Sequence, residues 1–384
     1  MNLNQLLTLS AELFNLKSMA TIKVRIPKND QSYSIKVENG IFKKIPELLN
    51  TKKWGHKYAI ISDDVIGGIF GKKLVSNLAK YGLKAELFTF KCGDKYKSME
   101  SVEKIIEKMV QKGFTRNDCV ITLGGGVPGD LGGFVAAIFM RGINYIHVPT
   151  SLLAMVDSSI GGKTGVNLQG GKNLAGAIYQ PKAVLMDPDL LKTLPKKELL
   201  AGLSEVFKYG VVNDEKVFEM FEKNWQKIAK GDKMLLFKLI VQSVKIKTSI
   251  IEKDEFEHGM RASFNYGHTA GHALERLWNY KINHGQAIAI GMKLVNNICA
   301  EKALIKPEQR DRINILITRL KLIPKEFEAK VNKVNVDDLW KIMLHDKKVV
   351  NGIINFVIPS KIGTFARSTN ITKQDLKKAI KNYA

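Results

Sequence analysis

Cys119-Val-Ile-Thr-Leu-Gly-Gly-Gly-Val-Pro-Gly-Asp-Leu-Gly-Gly-Phe-Val-Ala136 is the stretch on which the fold turns. Cys119 to Leu123 is apolar and β-branched and runs straight into glycines, and Leu131 to Phe139 is apolar at helical spacing. That order predicts a strand, a tight turn and a helix. Gly124, Gly126 and Gly129 satisfy the pattern GxGxxG, with Pro128 near the first helical turn. Such glycines let the backbone approach a pyrophosphate, and a helix N-terminus favours negative charge. A tight turn in any α/β sheet looks the same, so the pattern alone is weak. The ribose-binding acid expected about 20 residues later is missing, because that stretch reads Tyr145 to Leu152. A dinucleotide half here must draw its acids from earlier in the chain, and Asp63 and Asp94 are the candidates.

Outward from this stretch the first half keeps alternating. Thr21 to Ile26, Tyr58-Ala-Ile-Ile-Ser62, Leu87-Phe-Thr-Phe90 and Tyr145-Ile-His-Val148 read as strands. Ser98 to Lys112 carries Met99, Val102, Ile105, Ile106, Met109 and Val110 at helical spacing. The expectation is an α/β N-terminal domain with a mostly parallel sheet. After Leu199 long amphipathic stretches take over: 203–212, 215–230, 234–253, 268–280, 286–301 and 308–322. Strand signals return only at Ile353 to Val357, so a helical second domain beginning near residue 200 is expected. The division expected is 1–18 as an N-terminal extension, 19–199 as the α/β domain and 200–384 as the helical domain.

Bulk properties narrow the class. A chain of 384 residues favours two cores. Its 45% hydrophobic and 25% charged content is that of an ordinary globular protein. No apolar run approaches the ~20 residues of a membrane span. Met1 to Ser18 has no basic start and no small-residue cleavage site, which argues against a secretory signal. Cys92, Cys119 and Cys299 form no CxxC pair, so a reducing cytoplasmic setting is expected. The net charge of +23 invites a nucleic-acid reading. Only nine of the 60 basic residues are Arg, however, and the lysines are spread over the whole length. Arg is the residue that phosphate and base forks favour. A lysine-rich solvated surface is the better reading, with a positive field that gathers an anionic small molecule. Neither a nucleic acid nor a membrane is expected as a partner.

Two stretches look functional. Pro149 to Asn167 packs Thr150, Ser151, Asp157, Lys163 and several glycines together, followed by Lys172 and Asn173. That mixture suits a polyhydroxylated, charged ligand better than a structural loop. In the second half, His258, His268, His272 and His284 fall within 27 residues. His268 and His272 are four apart, on one helical face, and spacing alone makes them the first pair to choose as metal ligands. Glu205, one turn before Lys208, supplies a carboxylate. Two imidazoles and a carboxylate with an open position form a common catalytic zinc set. Lys245, Lys247, Glu257 and Arg261 are further ionisable groups in this half, each with the ordinary alternative of a solvated helix charge.

Taken together, these segments resemble the 3-dehydroquinate synthase family from about residue 20 onward. The resemblance is carried by Gly124 to Ala136, Met140-Arg-Gly142, Val156-Asp-Ser-Ser-Ile-Gly-Gly-Lys163 and Gly171-Lys-Asn173. Gly202-Leu-Ser-Glu-Val-Phe-Lys-Tyr-Gly210, Asn265-Tyr-Gly-His-Thr-Ala-Gly-His272, His284-Gly285 and Asp346-Lys-Lys348 complete it. It implies a dehydroquinate synthase-like fold, with an α/β N-terminal NAD-binding domain over 19–199 and an all-α C-terminal metal- and substrate-binding domain over 200–384. It also implies conversion of 3-deoxy-D-arabino-heptulosonate 7-phosphate to 3-dehydroquinate, with NAD and Zn2+ (or Co2+), in a homodimer. It implies metal ligands Glu205, His268 and His284, which moves His272 from the ligand set to proton transfer, with Glu257 as a further acid/base. Substrate contacts implied are Arg141 (from a neighbouring subunit), Asp157, Lys163, Asn173, Lys208, Lys247, Arg261, Asn265, His272, His284 and Lys347. Of these, Lys163, Lys208, Arg261 and Asn265 also join the catalytic group. NAD contacts implied are Asp63, Asp94, Lys97, Gly126, Val127, Gly129, Asp130, Thr150, Ser151, Lys163 and Lys172, with Leu190 and Thr193 from a weaker stretch.

Three positions depart from the family pattern: Gln286 and Asp94 each replace a usual Glu, and Pro128 replaces a small aliphatic residue. The rival readings are another sugar-phosphate cyclase, a metal-dependent alcohol dehydrogenase that releases NADH, and a nucleic-acid-binding protein.

Overall fold

The structure, a computed structural model, describes residues 19–24, 32–254, 259–344 and 353–383. Two compact units divide the chain. The first takes in the residues up to Thr150 together with Gly162–Lys192, and the second takes in Ser151–Gly161 and everything from Thr193 onward.

In the first unit the strands are β1 (Met19–Val24), β2 (Tyr33–Glu38), β3 (Lys57–Asp63), β4 (Lys84–Phe90), β5 (Cys119–Gly124), β6 (Asn144–Pro149), β7 (Lys163–Leu168), β8 (Gly171–Ile178) and β9 (Ala183–Met186). Seven of them form one sheet in the order β1-β2-β9-β6-β5-β3-β4. Only the β1–β2 pair is antiparallel. Helices α1 (Ile41–Lys52) and α2 (Lys72–Lys80) contribute to one core, and α3 (Met99–Gln111) and α4 (Gly126–Ile138) to another. Tyr58, Ile60, Cys119 and Ile121 point into the first core, and Ala59, Ile61 and Val120 into the second. A strand buried on both faces has no polar side, which is why these strands read as unbroken apolar runs.

The second unit is helical: α5 (Lys196–Val212), α6 (Glu215–Lys230), α7 (Lys233–Lys253), α8 (His268–Leu277), α9 (His284–Glu301), α10 (Pro307–Arg319), α11 (Lys325–Val331), α12 (Val336–Leu344) and α13 (Lys373–Lys381). One antiparallel hairpin, β10 (Phe356–Lys361) with β11 (Thr364–Ser368), is added to it. Helix α9 is buried continuously from Gly285 to Cys299, and α5 nearly as thoroughly, so these two form its centre. Among the described residues, no helix is long and apolar enough to cross a membrane.

Several elements differ from the sequence expectation. Strands β2, β9 and β11 were not expected, and the polar stretch after Gly162 forms the β7–β8 hairpin. Helix α4 begins at Gly126, inside the glycine run, and α5 begins at Lys196. The segment 151–161 packs with the second unit for a visible reason. A Cβ on Gly202 of α5 would stand 2.6 Å from the Leu152 Cβ, and the Tyr209 hydroxyl donates to the Val156 carbonyl at 3.2 Å.

Candidate active site

Glycines in the second unit bring three helices close enough to share a site. Gly267 caps α8 with φ of +75°, and a side chain there would meet Met292 Cγ at 2.6 Å and the Ile288 carbonyl at 2.8 Å. Gly271 would place a Cβ 3.0 Å from the Ala287 carbonyl. These two positions let α8 lie directly on α9. Gly285 likewise lets the first turn of α9 press on α5, with the Ala201 Cα only 2.5 Å from where a Cβ would be. The start of α9 is further fixed by a capping box between Asn283 and Gln286. Asn283 also donates to both carboxylate oxygens of Glu198 on α5, at 3.2 Å each.

The result is a convergence of Glu205 (α5), His268 and His272 (α8) and His284 (α9). The ring centroids of the three histidines lie 5.2–5.6 Å apart, and their nitrogens include a set lying within 4.8 Å of one another. Glu205 Oε1 stands 3.5 Å from His268 Nε2 and 3.6 Å from His284 Nε2. Those distances are too long for hydrogen bonds. They match the roughly 3.4 Å that separates two ligand atoms each about 2.1 Å from one tetrahedral ion. Glu205 is fully buried, and its Oε1 has no hydrogen-bond partner. Its Oε2 is held by Lys208 Nζ, which also donates to the Phe264 carbonyl at 2.9 Å. His268 Nδ1 faces the Tyr266 carbonyl at 3.1 Å, and His284 Nδ1 faces Glu275 Oε2 at 3.2 Å. Both Nε2 atoms are thereby directed toward the Glu205 oxygen. An otherwise costly orphaned acceptor, two oriented imidazoles and ligand-type spacings fit a divalent metal.

The electrostatics agree. Burial pushes the Glu205 carboxyl up, yet attraction to Lys208 and His284 outweighs it and holds the group below the ordinary glutamate range. Burial alone would lower His284, but the Glu205 and Glu275 carboxylates raise it to about 10. Beside this set lies Asp157. Its Oδ1 accepts from Lys247 Nζ at 2.5 Å and from the Tyr209 hydroxyl at 3.0 Å. Burial opposes ionisation there as well, and the charges of Lys247 and Lys208 overcome it, leaving the carboxyl well below the aspartate range. Lys247 is itself pulled down by burial, partly offset by Asp157. The Phe264 ring sits 5.8 Å from Lys208 Nζ and 5.5 Å from Lys247 Nζ. Arg261 is buried, with its backbone N–H on Asp254, and Gly161 leaves it room: a Cβ there would be 3.3 Å from its Nη2. Asn265 ends the short turn Met260–Asn265. The unit thus gathers three buried cations and two carboxylates around a metal-type donor set, an arrangement suited to polarising and binding an anionic oxygen-rich substrate.

The first unit holds the glycine turn. Gly124 takes φ of +150°, with Pro128 packed where its Cβ would be, and α4 starts at Gly126. Val127 and Gly129 lie in that first turn. Asp63 ends β3, where its Oδ1 accepts from the Ile66 N–H at 2.8 Å, and burial raises its carboxyl. Lys97 is buried, with Nζ 2.5 Å from Asp130 Oδ2 and 2.5 Å from Asn173 Oδ1. Lys172 pairs with Asp94 at 2.9 Å. Asn173 has φ of +55°, and its N–H donates to Asn167 Oδ1 at 3.0 Å. These contacts bring Asp94, Lys97, Asp130, Lys172 and Asn173 into one cluster. Thr150 N–H donates to the Gly124 carbonyl at 2.9 Å. Lys163 opens β7 and is exposed, Arg141 is exposed at φ of +67°, and the Leu190 side chain belongs to the apolar core. In the second unit, Ser151 Oγ accepts from the Ala154 N–H at 3.2 Å, and Thr193 closes the turn Pro188–Thr193. Glu257 and Lys347, with the rest of the Asp346 motif and residues 1–18, lie outside the described residues.

Sequence reasoning missed Tyr209, Glu275 and the Glu198–Asn283 tie. For Glu275 a signal existed, since it shares the helical stripe of His268 and His272 at three residues beyond the second.

This fold is the one found in solved sugar-phosphate cyclases. The chain resembles 2-deoxy-scyllo-inosose synthase complexed with carbaglucose-6-phosphate, NAD+ and Co2+ (TM-score 0.83, 25% identity, 94% of this chain and 99% of that one). It also shares its fold with ValA, the 2-epi-5-epi-valiolone synthase of Streptomyces hygroscopicus subsp. jinggangensis 5008 with NAD+ and Zn2+ bound (TM-score 0.82, 24% identity, 94% and 98% coverage). Residues 87–201 match the 3-dehydroquinate synthase N-terminal family and residues 202–349 its C-terminal family. A 3-dehydroquinate synthase of Prochlorococcus marinus (strain AS9601) is 43% identical over 348 residues, covering 89% of this chain and 94% of the relative. The chain belongs to the 3-dehydroquinate synthase family.

Proposed function

We propose that this lyase converts 3-deoxy-D-arabino-heptulosonate 7-phosphate to 3-dehydroquinate and phosphate, on the shikimate route to chorismate and the aromatic amino acids, with catalytic NAD and a divalent metal. The observation that carries this reading is the orphaned Glu205 Oε1, 3.5 and 3.6 Å from two imidazole Nε2 atoms. Glu205, His268 and His284 are the residues that would hold zinc, or cobalt in its place. Bound there, the metal supplies Lewis acidity at the substrate's oxygen atoms, and NAD supplies a reversible hydride acceptor.

The chain's own residues do the rest. Lys208, Lys247 and Arg261 attract the carboxylate and phosphate of the substrate, and Asp157 keeps Lys247 in place. His272, half-buried beside the ligands, moves a proton, with Glu257 as the second acid/base. Lys163, Asn173, Asn265 and Lys347 make the remaining polar contacts. NAD lies on the glycine turn, at Gly126, Val127, Gly129 and Asp130, with Asp63, Asp94, Lys97, Lys172, Thr150, Ser151, Lys163, Leu190 and Thr193. A cytoplasmic homodimer is the working form, in which Arg141 reaches the substrate phosphate of the neighbouring subunit. The exposed apolar side chains Ile138, Met140, Leu174 and Ile178 support that assembly.

The test uses purified protein with NAD, zinc and the heptulosonate phosphate. Phosphate should accumulate with no net NADH absorbance, and the carbocycle is identified by mass and NMR. Stoichiometric NADH release would instead mark a dehydrogenase.

A further inference from the structure

Glu275 lies seven residues after His268 and three after His272, so all three side chains share one face of α8. Its carboxylate is buried, and Oε2 stands 3.2 Å from His284 Nδ1, on the opposite side of that ring from Glu205. A carboxylate accepts hydrogen bonds, so when His284 serves as a ligand its one remaining proton sits on Nδ1, facing Glu275, and Nε2 is the atom that coordinates. The other ligand histidine is oriented differently, by the Tyr266 backbone carbonyl at 3.1 Å. One ligand is therefore held by the main chain, which no substitution removes, and the other by a side chain.

We propose that Glu275 is a positioning residue that fixes the ring orientation and tautomer of His284, so that its Nε2 completes the metal site with Glu205 and His268. This rests on the metal-dependent reading given above. The physical basis is that a carboxylate behind a ligating imidazole locks the ring and strengthens its donation to the ion. It also makes α8 a bifunctional element. The helix contributes a ligand of its own and, two turns later, the group that aims the ligand of the next helix.

The test compares the wild-type chain with Glu275→Gln and Glu275→Ala. Zinc affinity is measured by competition with a chromophoric chelator, the visible spectrum of the Co2+ form is recorded, and circular dichroism checks the fold. Loss of the group behind a ligand histidine lowers metal affinity by about 10–100-fold, and Glu275→Ala should show that loss with an altered Co2+ spectrum. Glu275→Gln keeps an acceptor oxygen of the same reach, so it should retain more of the affinity. Should Glu275→Ala fail to fold, Glu275→Gln alone decides: a weaker affinity than wild type supports the assignment, and an unchanged affinity and spectrum overturn it. Wild-type affinity in a folded Glu275→Ala also overturns it. Failure of the wild-type chain to bind metal at all would sink the metal reading, and is distinguishable from these results.

Discussion

Replacing Gly285 by Ala should empty the metal site while leaving the fold largely in place. The added Cβ would stand 2.5 Å from the Ala201 Cα, and closer still to its carbonyl oxygen. Carbon atoms in contact prefer about 3.5–4.0 Å, so α9 and α5 must part by roughly 1 Å. Ala201 precedes Glu205 by one helical turn, and Gly285 adjoins His284, so the displacement acts directly on that pair of proposed ligands. Their atoms are already 3.6 Å apart. An ion about 2.1 Å from each cannot span more than about 4.2 Å even in a straight line, so the extra ångström exceeds what tetrahedral coordination allows. A misplacement of this size costs about 10²-fold in a catalytic constellation. Stability should change less. Overpacking costs about 1–3 kcal/mol, and exchanging Gly for Ala in a helix returns about 1 kcal/mol. Gly285 is not among the positive-φ glycines, so its backbone accepts Ala without strain. Zinc content after dialysis, read beside a calorimetric melt, separates the two effects. Gly68→Ala is the control, since a Cβ there meets nothing within 4 Å. Retention of one tightly held zinc by Gly285→Ala, with wild-type turnover, would falsify the idea that close helix approach builds this site.

His284→Ala should lose bound metal and activity together, whereas His272→Ala should keep the metal and lose turnover; elemental analysis of both variants checks this, and a metal-free His272→Ala would move that ring into the ligand set. His147 is buried, its Nδ1 lies 2.6 Å from the Thr122 hydroxyl, and burial lowers its pKa to about 3. The unfolded chain takes up that proton near pH 6.5, so this ring stabilises the fold above that value and the contribution is lost as pH falls from about 6.5 toward about 3. Histidine NMR should show no titration of His147 between pH 5 and 8, and a midpoint near 6.5 would contradict its burial against Thr122.

The parallel sheet was legible because its strands are buried on both faces and leave no polar interruption in runs such as Cys119 to Leu123. The β7–β8 hairpin was not, and its glycines are the reason. Gly165 and Gly176 lie opposite one another in the register, each pressed against the facing backbone where a side chain would clash. A strand whose interior positions are glycine carries no alternation to read. The same silence hid the start of α4, where Gly126 to Gly129 offers one apolar side chain and a proline. At the metal site, helical spacing alone paired His268 with His272, because period is all that a single helix records. Glu205 and His284 reach the same point from two other helices, and that convergence depends on the glycine contacts between helices, which no local pattern encodes.

The departures from the family pattern fall where the structure asks little of the residue replaced. Gln286 completes the capping box by accepting from the Asn283 N–H at 3.2 Å. That role needs an acceptor oxygen and no charge, so the amide serves, and the charge behind His284 is supplied by Glu275 instead. Pro128 is the third residue of α4, where the backbone N–H has no partner within the helix. Its missing donor is no loss there, and its ring fills the space left by Gly124. Asp94 is the more consequential change. Its carboxylate pairs with Lys172 at 2.9 Å, and its carbonyl accepts from Asn167 at 3.1 Å, binding this turn to the hairpin. A Glu at that position would carry its charge one methylene further out, whereas the shorter side chain engages Lys172. The substitution therefore bears on how this turn is tied to the hairpin in the first unit, and leaves Glu205, His268 and His284 untouched.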